Sequence, residues 1–168
     1  LRSRAKAVNF GVIYGMGPQR LARETKVSMD EAKRFIDSYF ETYPGVRAWL
    51  DGTIEAARTL GYVSTLLGRR RYLPEIHDAD PRVKAQAENV AMNTPLQGTA
   101  ADVIKLAMIH IDRRLTEERW QARMLLQVHD ELVFEAPPDE VERLTTMVKK
   151  EMSGAAKLAV PLVVDVGV

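Results

Sequence analysis

A polar pentapeptide between two apolar runs near the end of the chain most constrains how this sequence can fold. The pentapeptide Gln127–Glu131 lies between the apolar runs Met-Leu-Leu and Leu-Val-Phe. Two β-prone runs joined by a short polar segment predict an antiparallel hairpin. The segment holds His129, Asp130 and Glu131, where a hairpin turn ordinarily selects Asn-Gly or Asp-Gly. Because adjacent carboxylates repel each other, two interpretations stand: a solvated acidic turn, or a site for a cation such as Mg²⁺.

Composition limits the classes to which the protein can belong. The chain has 168 residues with 46% hydrophobic content, which is enough for one domain with a real core or for a large piece of a bigger one. No apolar run approaches the length needed to span a bilayer, and no signal-peptide pattern opens the sequence. The absence of cysteine excludes disulfides and thiolate metal sites, and fits a reducing cytoplasm.

Positive charge is segregated although the net charge is only +1. Residues 1–35 carry eight cationic side chains against three acidic ones, and an arginine triplet occupies residues 69–71. Segregated charge of this kind favours a polyanionic partner that contacts particular faces, with a solvated basic surface as the alternative.

Periodicity and helix-end signals predict a mainly helical chain with a few antiparallel strands, which is the α+β class. Ser28 and Glu31 form a capping-box pattern, and Gly61 should end a helix. The segment Asn93-Thr94-Pro95 should break a helix. The segment Asp139-Glu140-Val141-Glu142 should cap the last helix. The predicted helices cover residues 2–14, 18–25, 28–42, 46–60, 82–92, 98–118 and 142–154, and the predicted strands cover residues 62–67, 71–73, 124–135 as a hairpin, and 162–168.

The first predicted helix carries two cations and two rings on one side. Arg2, Lys6, Phe10 and Tyr14 are spaced by four residues, so they share a face, and Gly15 follows. Cations near a helix N-terminus oppose the helix dipole, and an anionic ligand such as a polyphosphate would explain them. The rings could then stack on a sugar or a base. An amphipathic helix with core rings and solvated cations remains the alternative.

This spacing, Arg2-x3-Lys6-x3-Phe10-x3-Tyr14-Gly15, resembles the finger helix of family A DNA polymerases, the bacterial DNA polymerase I type. Three further segments resemble motifs of the same family in the same order along the chain. They are Gly68–Tyr72, Asn93–Asp102 and the hairpin Gln127–Glu131. The resemblance implies helical fingers with a return toward the palm over residues 1–60 and a palm portion with antiparallel hairpins over residues 61–168. We expect both to belong to a larger right-hand polymerase domain and the chain to be cut at both ends.

The resemblance also assigns the first helix to the incoming dNTP. It implies that Arg2 and Lys6 contact the triphosphate and that Lys6 acts as a general acid toward pyrophosphate. It places Phe10 beside the sugar and Tyr14 beside the templating base, with room provided by Gly15.

For the rest of the site, the resemblance implies DNA contacts and a two-metal centre. Asp130 is the implied metal ligand, and Lys6, His129 and Glu131 complete the implied catalytic set. Two Mg²⁺ ions require a second bridging carboxylate, which the family carries in an earlier Asp-x-Ser-x-x-Glu motif that residues 1–168 lack. The implied DNA-binding residues are Arg69, Arg70, Arg71, Asn93, Gln97, Gln127 and His129.

The function implied is DNA-directed DNA polymerisation in replication or repair, by a monomeric parent in the cytoplasm of a bacterium or phage-infected cell. Its partners would be template–primer DNA and dNTPs, with no membrane. Because one bridging carboxylate cannot organise two metals, we expect the isolated chain not to polymerise. Two alternatives are a nucleic-acid-binding fragment without catalysis and a single-subunit phage-type RNA polymerase, whose hairpin usually reads His-Asp-Ser where this chain has Glu131. Asn89 departs from the family pattern, since many relatives carry Arg there.

Overall fold

The computed structural model describes residues 11–168, so the predicted nucleotide contacts Arg2, Lys6 and Phe10 lie outside the described residues. The chain divides into two compact units, with the boundary between Thr99 and Ala100. The division into fingers and palm at residue 60 stays a prediction.

The α+β prediction is confirmed: the described chain is mostly helical, with two small antiparallel sheets of two strands each. Residues 11–13 are helical and lead into a turn. Among the described residues, no helix is both long enough and apolar enough to cross a membrane. The elements that follow are α1 (Pro18–Thr25), α2 (Met29–Thr42), α3 (Pro44–Leu60), β1 (Tyr62–Ser64), β2 (Arg70–Tyr72), a 3₁₀ helix (Pro74–His77), α4 (Pro81–Glu117), β3 (Arg123–Val128), β4 (Glu131–Glu135) and α5 (Val141–Ser153).

Local capping signals act as the sequence predicts. The Ser28 hydroxyl accepts a hydrogen bond from the Glu31 N–H at 3.2 Å, and the Glu31 carboxylate accepts one from the Ser28 N–H at 3.0 Å. This capping box begins α2. The Glu31 carboxylate accepts hydrogen bonds from the Ser28 N–H, the larger cause, and from the Ser28 hydroxyl, and both lower the pKa of Glu31. Gly61 ends α3 in the left-handed conformation, at φ 73°.

The core of the first unit lies where α3, β1, the 3₁₀ helix and the start of α4 meet. Small alanines on both helices let the backbones approach, and larger aliphatic side chains fill the space between them. The buried members of this cluster are Ala57, Val63, Leu73, Ile76, Ala87 and Ala91.

Helix α4 is continuous from Pro81 to Glu117, so the predicted break at residues 93–95 is wrong. Pro95 has no N–H to donate and ordinarily costs a helix about 3 kcal/mol. The burial of Ala91 before it and of Ile111 after it, each in the core of its own unit, holds both halves helical. Tertiary packing therefore overrides the local signal, and the Thr94 hydroxyl adds a bond to the Val90 carbonyl at 2.7 Å.

In the second unit, α5 and the β3–β4 hairpin pack on the end of α4. The predicted hairpin is confirmed, with an irregular register between Met124 and Leu126. Within the described residues no strand forms over 162–168, because a strand needs a partner and none pairs with this segment. The buried residues of the core are Ile111, Leu115, Ala122, Leu144, Met147 and Val148.

The predicted acidic cap of α5 is also wrong. Glu140 stands at the N-cap position but makes no side-chain bond to the helix. Its carboxylate instead accepts hydrogen bonds from the N–H groups of Gln121 and Ala122, at 3.2 and 2.8 Å. The residue therefore ties the start of α5 to the segment that leads into β3.

Candidate nucleic-acid interface and catalytic hairpin

The arginine triplet lies on the β1–β2 hairpin, where the sequence predicts it. β1 is shorter than predicted and β2 begins one residue earlier than predicted, so Arg69 belongs to the turn while Arg70 and Arg71 belong to β2. Thr65 closes the turn: its N–H donates to the Arg69 carbonyl at 2.9 Å, and its hydroxyl accepts from the Arg69 N–H at 3.1 Å. Gly68, at φ 85°, supplies the left-handed residue that the turn requires.

This turn is attached to α4 at the Gln97-Gly98-Thr99 segment. The Leu66 N–H donates to the Thr99 hydroxyl at 2.9 Å, and the Arg69 guanidinium donates to the Gly98 carbonyl at 3.0 Å. A Cβ at Gly98 would lie 2.6 Å from Cγ2 of Thr65, so only glycine permits this approach. No role for Thr65, Gly98 or Thr99 is predicted from the sequence. These contacts join positions 29 and 33 residues apart, so no local pattern indicates them.

The hairpin and α4 together line a cavity of about 250 Å³ in the first unit. Four of the residues predicted to contact DNA meet here, the three arginines and Gln97. The described lining residues include no carboxylate, so the cavity is suited to an anion. Arg70 is held by the Tyr62 ring, whose centroid lies 4.7 Å from its guanidinium carbon. The lining residues are Thr65, Arg69, Arg70, Arg71, Thr94, Gln97 and Gly98.

Asn93 lies one helical turn before Gln97 on α4 but does not line this cavity. Its amide oxygen is buried, and no donor among the described residues reaches it. A buried acceptor without a partner costs about 1–3 kcal/mol. Such an atom is one that a ligand, or chain outside the described residues, can satisfy.

Tyr14 and Gly15 end the helix of residues 11–13 in a Schellman motif. The Gly15 N–H donates to the Val12 carbonyl at 3.1 Å, and the Met16 N–H donates to the Gly11 carbonyl at 2.8 Å. Gly15 takes the left-handed residue of this motif, at φ 79°. The Tyr14 side chain is 40% exposed and available to a ligand.

Gly15 also lies against α4. A Cβ there would lie 2.6 Å from Cε of Met92 and 2.7 Å from the amide oxygen of Asn89. Asn89, which departs from the family pattern, is thus a neighbour of the turn that carries Tyr14. Helical spacing does not predict this contact, because it identifies the face of α4 but not what packs on it.

The second unit presents the predicted catalytic hairpin. Val128 pairs with Glu131, which leaves His129 and Asp130 as a two-residue turn. His129 has φ 55°, an uncommon value for a residue other than glycine. The Gln127 amide donates to the His129 carbonyl at 2.7 Å and braces the turn. His129, Asp130 and Glu131 are all exposed, so both carboxylates face solvent.

The hairpin supplies oxygen ligands of the kind Mg²⁺ prefers, but not a complete site. Among the described residues, no group of three His, Asp or Glu side chains is close enough to hold a metal ion. Asp130 and Glu131 could therefore contribute to a magnesium site only together with further ligands.

Comparison with known proteins identifies the family to which the chain is similar. The model of DNA polymerase family A matches residues 1–168. DNA polymerase I of Bacillus caldotenax is 53% identical over 165 residues, which are 98% of this chain and 19% of that protein. The thermostable DNA polymerase I of Thermus aquaticus is 50% identical over 168 residues, all of this chain and 20% of that protein.

A solved structure, the POL domain of Pol1 from M. smegmatis in complex with DNA primer-template and dNTP, superimposes with a TM-score of 0.92. It is 45% identical, and the match covers 96% of this chain and 28% of that chain. The chain thus spans about a fifth of the length of the curated relatives it matches. Because the family model matches the whole sequence, this chain belongs to DNA polymerase family A.

Proposed function

We propose that this chain is the part of a DNA-directed DNA polymerase that contacts primer–template DNA, contributes to the dNTP site and carries one carboxylate of the metal centre. The observation that carries the proposal is the cavity formed by three arginines and Gln97. The similarity to the Pol1 POL domain, which was solved with DNA primer-template and dNTP, supports it.

The cavity is suited to a nucleic-acid backbone. Guanidinium groups bind phosphate oxygens with charge-assisted, often bidentate bonds, and such contacts position DNA without reading its sequence. The amides of Gln97 and Asn93 can meet minor-groove acceptors, which every base pair presents. We therefore assign Arg69, Arg70 and Arg71 to phosphates and the two amides to the nascent pair.

The dNTP contacts remain those of the resemblance: Arg2 and Lys6 for the triphosphate, Phe10 for the sugar, and Tyr14 with Gly15 at the helix end. In support, Tyr14 is exposed at the end of a helix that a Schellman motif closes. We assign residues 1–60 to fingers and 61–168 to palm, in a monomeric parent in the bacterial cytoplasm.

At the catalytic hairpin, Asp130 is the proposed metal ligand, with Glu131, His129 and Gln127 beside it. Mg²⁺, when bound, supplies Lewis-acid stabilisation of phosphoryl charge and activates the primer hydroxyl. The exposed two-residue turn presents the Asp130 carboxylate without a competing partner among the described hydrogen bonds. His129 and Gln127 would orient the primer end.

A chimera tests the proposal. The 168 residues of the Thermus aquaticus polymerase I that align with this chain are replaced by residues 1–168, and template-directed dNTP incorporation and duplex affinity are measured. Replacement of the arginine triplet, residues 69–71, by glutamine should lower duplex affinity and reduce the slope of log K against log salt by about 2.7, since each phosphate contact contributes about 0.9. The matched control replaces three exposed arginines, Arg20, Arg47 and Arg82, which each pair with an acidic neighbour.

The control should leave the slope near that of the unmodified chimera. Equal slopes for the triplet variant and the control would refute the phosphate assignment. Duplex binding by the chimera without incorporation would favour the non-catalytic alternative, and preference for ribonucleotides would favour the RNA polymerase alternative.

A further inference from the structure

The β1–β2 turn and α4 meet in a small contact. Of the three arginines that line the cavity, Arg69 takes part in it, through its bond to the Gly98 carbonyl. We name this contact the turn seat and define it by Thr65, Gly98 and Thr99. Thr65 is 5% exposed, and its methyl carbon lies 2.6 Å from where a Cβ at Gly98 would stand. The seat therefore fixes how closely the turn can approach the helix.

Hydrogen bonds at the turn seat fix the orientation of the turn relative to α4, in addition to its distance from the helix. The Thr99 hydroxyl donates to the Pro95 carbonyl of its own helix, which orients its oxygen toward the Leu66 N–H. The Thr65 hydroxyl accepts from the Arg69 N–H and so fixes the first residue of the triplet. Each of these bonds joins a threonine hydroxyl to a backbone group.

We propose that Thr65, Gly98 and Thr99 are positioning residues that hold the arginine triplet at a set distance from Gln97, so that phosphate and minor-groove contacts are made together. This proposal rests on the proposed function, because it presumes that the triplet contacts DNA phosphates. Loosening the seat moves Arg69, Arg70 and Arg71 as a group relative to α4 while every arginine remains present.

The test measures primer–template affinity of the Thermus aquaticus chimera by fluorescence anisotropy over a range of KCl concentrations. Gly98→Ala should reduce affinity at least about tenfold and the salt slope by about 0.9–2.7, since one to three phosphate contacts are lost when the triplet moves. The second substitution Thr65→Ser removes the obstructing methyl but keeps the hydroxyl. The double variant should therefore recover the slope that Gly98→Ala alone loses.

A second pair of variants, both at Thr99, keeps the proposal testable if Gly98→Ala fails to fold. Thr99→Val removes the acceptor of the Leu66 N–H and should also lower the slope, whereas Thr99→Ser should retain it. Hydrogen exchange at the Leu66 amide should quicken in Thr99→Val. Gly52→Ala is the matched control, because Gly52 lies in a helix and a Cβ there would meet nothing within 4 Å.

The outcomes separate the two proposals. An unchanged slope in Gly98→Ala and Thr99→Val, together with a reduced slope in the variant with glutamine at positions 69–71, would overturn the turn seat alone. A loss in Gly98→Ala that Thr65→Ser does not recover would also overturn it. An unchanged slope in the glutamine variant would refute the phosphate interface, and the turn seat as a positioning device with it.

Discussion

Replacement of Gly15 by alanine separates two reasons for glycine at this position. The first is backbone conformation: φ is 79°, and the left-handed region costs an L-residue about 1–2 kcal/mol. The second is space, since the new Cβ would lie 2.6 Å from Cε of Met92 and 2.7 Å from the amide oxygen of Asn89. Ordinary contacts begin near 3.4 Å, so these atoms must move by most of an ångström.

The expected loss of stability in Gly15→Ala is the sum of these two costs, less the gain from restricting the unfolded chain. The crowded atoms are the ends of two flexible side chains, so we take the low end of the overpacking range, about 1 kcal/mol, while restriction of the unfolded chain returns about 0.4–1 kcal/mol. We expect Gly15→Ala to lower the free energy of unfolding of the first unit by about 1–2 kcal/mol. Gly61→Ala isolates the conformational cost, about 1 kcal/mol, because φ is 73° but nothing lies within 4 Å.

The assay is urea unfolding of the 168-residue chain followed by tryptophan fluorescence. Trp49 lies in the first unit and Trp120 in the second, so a Trp120→Phe background reports the first unit alone. Gly17→Ala, where φ is −76° and nothing lies within 4 Å, should change stability little. A destabilisation by Gly15→Ala no larger than that by Gly61→Ala would refute the crowding against α4.

Three further predictions concern single groups. Ser28→Ala should lower the stability of the first unit by about 1 kcal/mol through loss of the helix cap, whereas Ser38→Ala in the middle of the same helix should be neutral or slightly stabilising in the same urea titration. The side-chain hydrogen bond from Arg114 is the largest cause that lowers the pKa of Glu118 below its usual 4.5. Ionised Glu118 therefore stabilises the second unit above pH 4.5, and this stabilisation is lost as pH falls through the lower pKa of the folded state. Glu118→Gln should accordingly make the free energy of unfolding of the second unit fall less steeply on the acid side of a pH titration. In the chimera, Phe10→Tyr should ease incorporation of dideoxynucleotides, and an unchanged discrimination ratio would count against a sugar contact.

Features that depend on neighbours in the sequence could be predicted from it. The cap formed by Ser28 and Glu31 and the helix end at Gly61 each need only a few adjacent residues, and the structure confirms both. The hairpin of residues 124–135 is confirmed for the same reason, because alternating apolar runs and a short connection are local properties.

Features that depend on packing could not be predicted. Pro95 signals a helix break, and only the burial of residues on both sides keeps α4 continuous. The segment 162–168 has strand composition, but a strand also needs a partner. The turn seat joins Leu66 to Thr99, 33 residues apart, through a bond that neither local sequence encodes.

For the candidate site, the resemblance named residue types and roles, and the structure supplied their grouping. It brings Arg69, Arg70, Arg71 and Gln97 to one cavity and sets Asn93 apart with a buried oxygen. Residue roles at this hairpin stay predictions, since no group of three His, Asp or Glu side chains among the described residues is close enough to hold a metal ion.

The proposed role of Asp130 as a metal ligand is tested most directly by the rate of primer extension by the Thermus aquaticus chimera carrying Asp130→Asn. Removal of a metal-ligating charge should lower the rate by at least about two orders of magnitude while duplex affinity stays unchanged. Asp112→Asn, an exposed carboxylate on α4, is the matched control and should retain the rate. Retention of the rate in Asp130→Asn, or a loss of duplex affinity equal to the loss of rate, would contradict the assignment of Asp130 as the catalytic carboxylate of this chain.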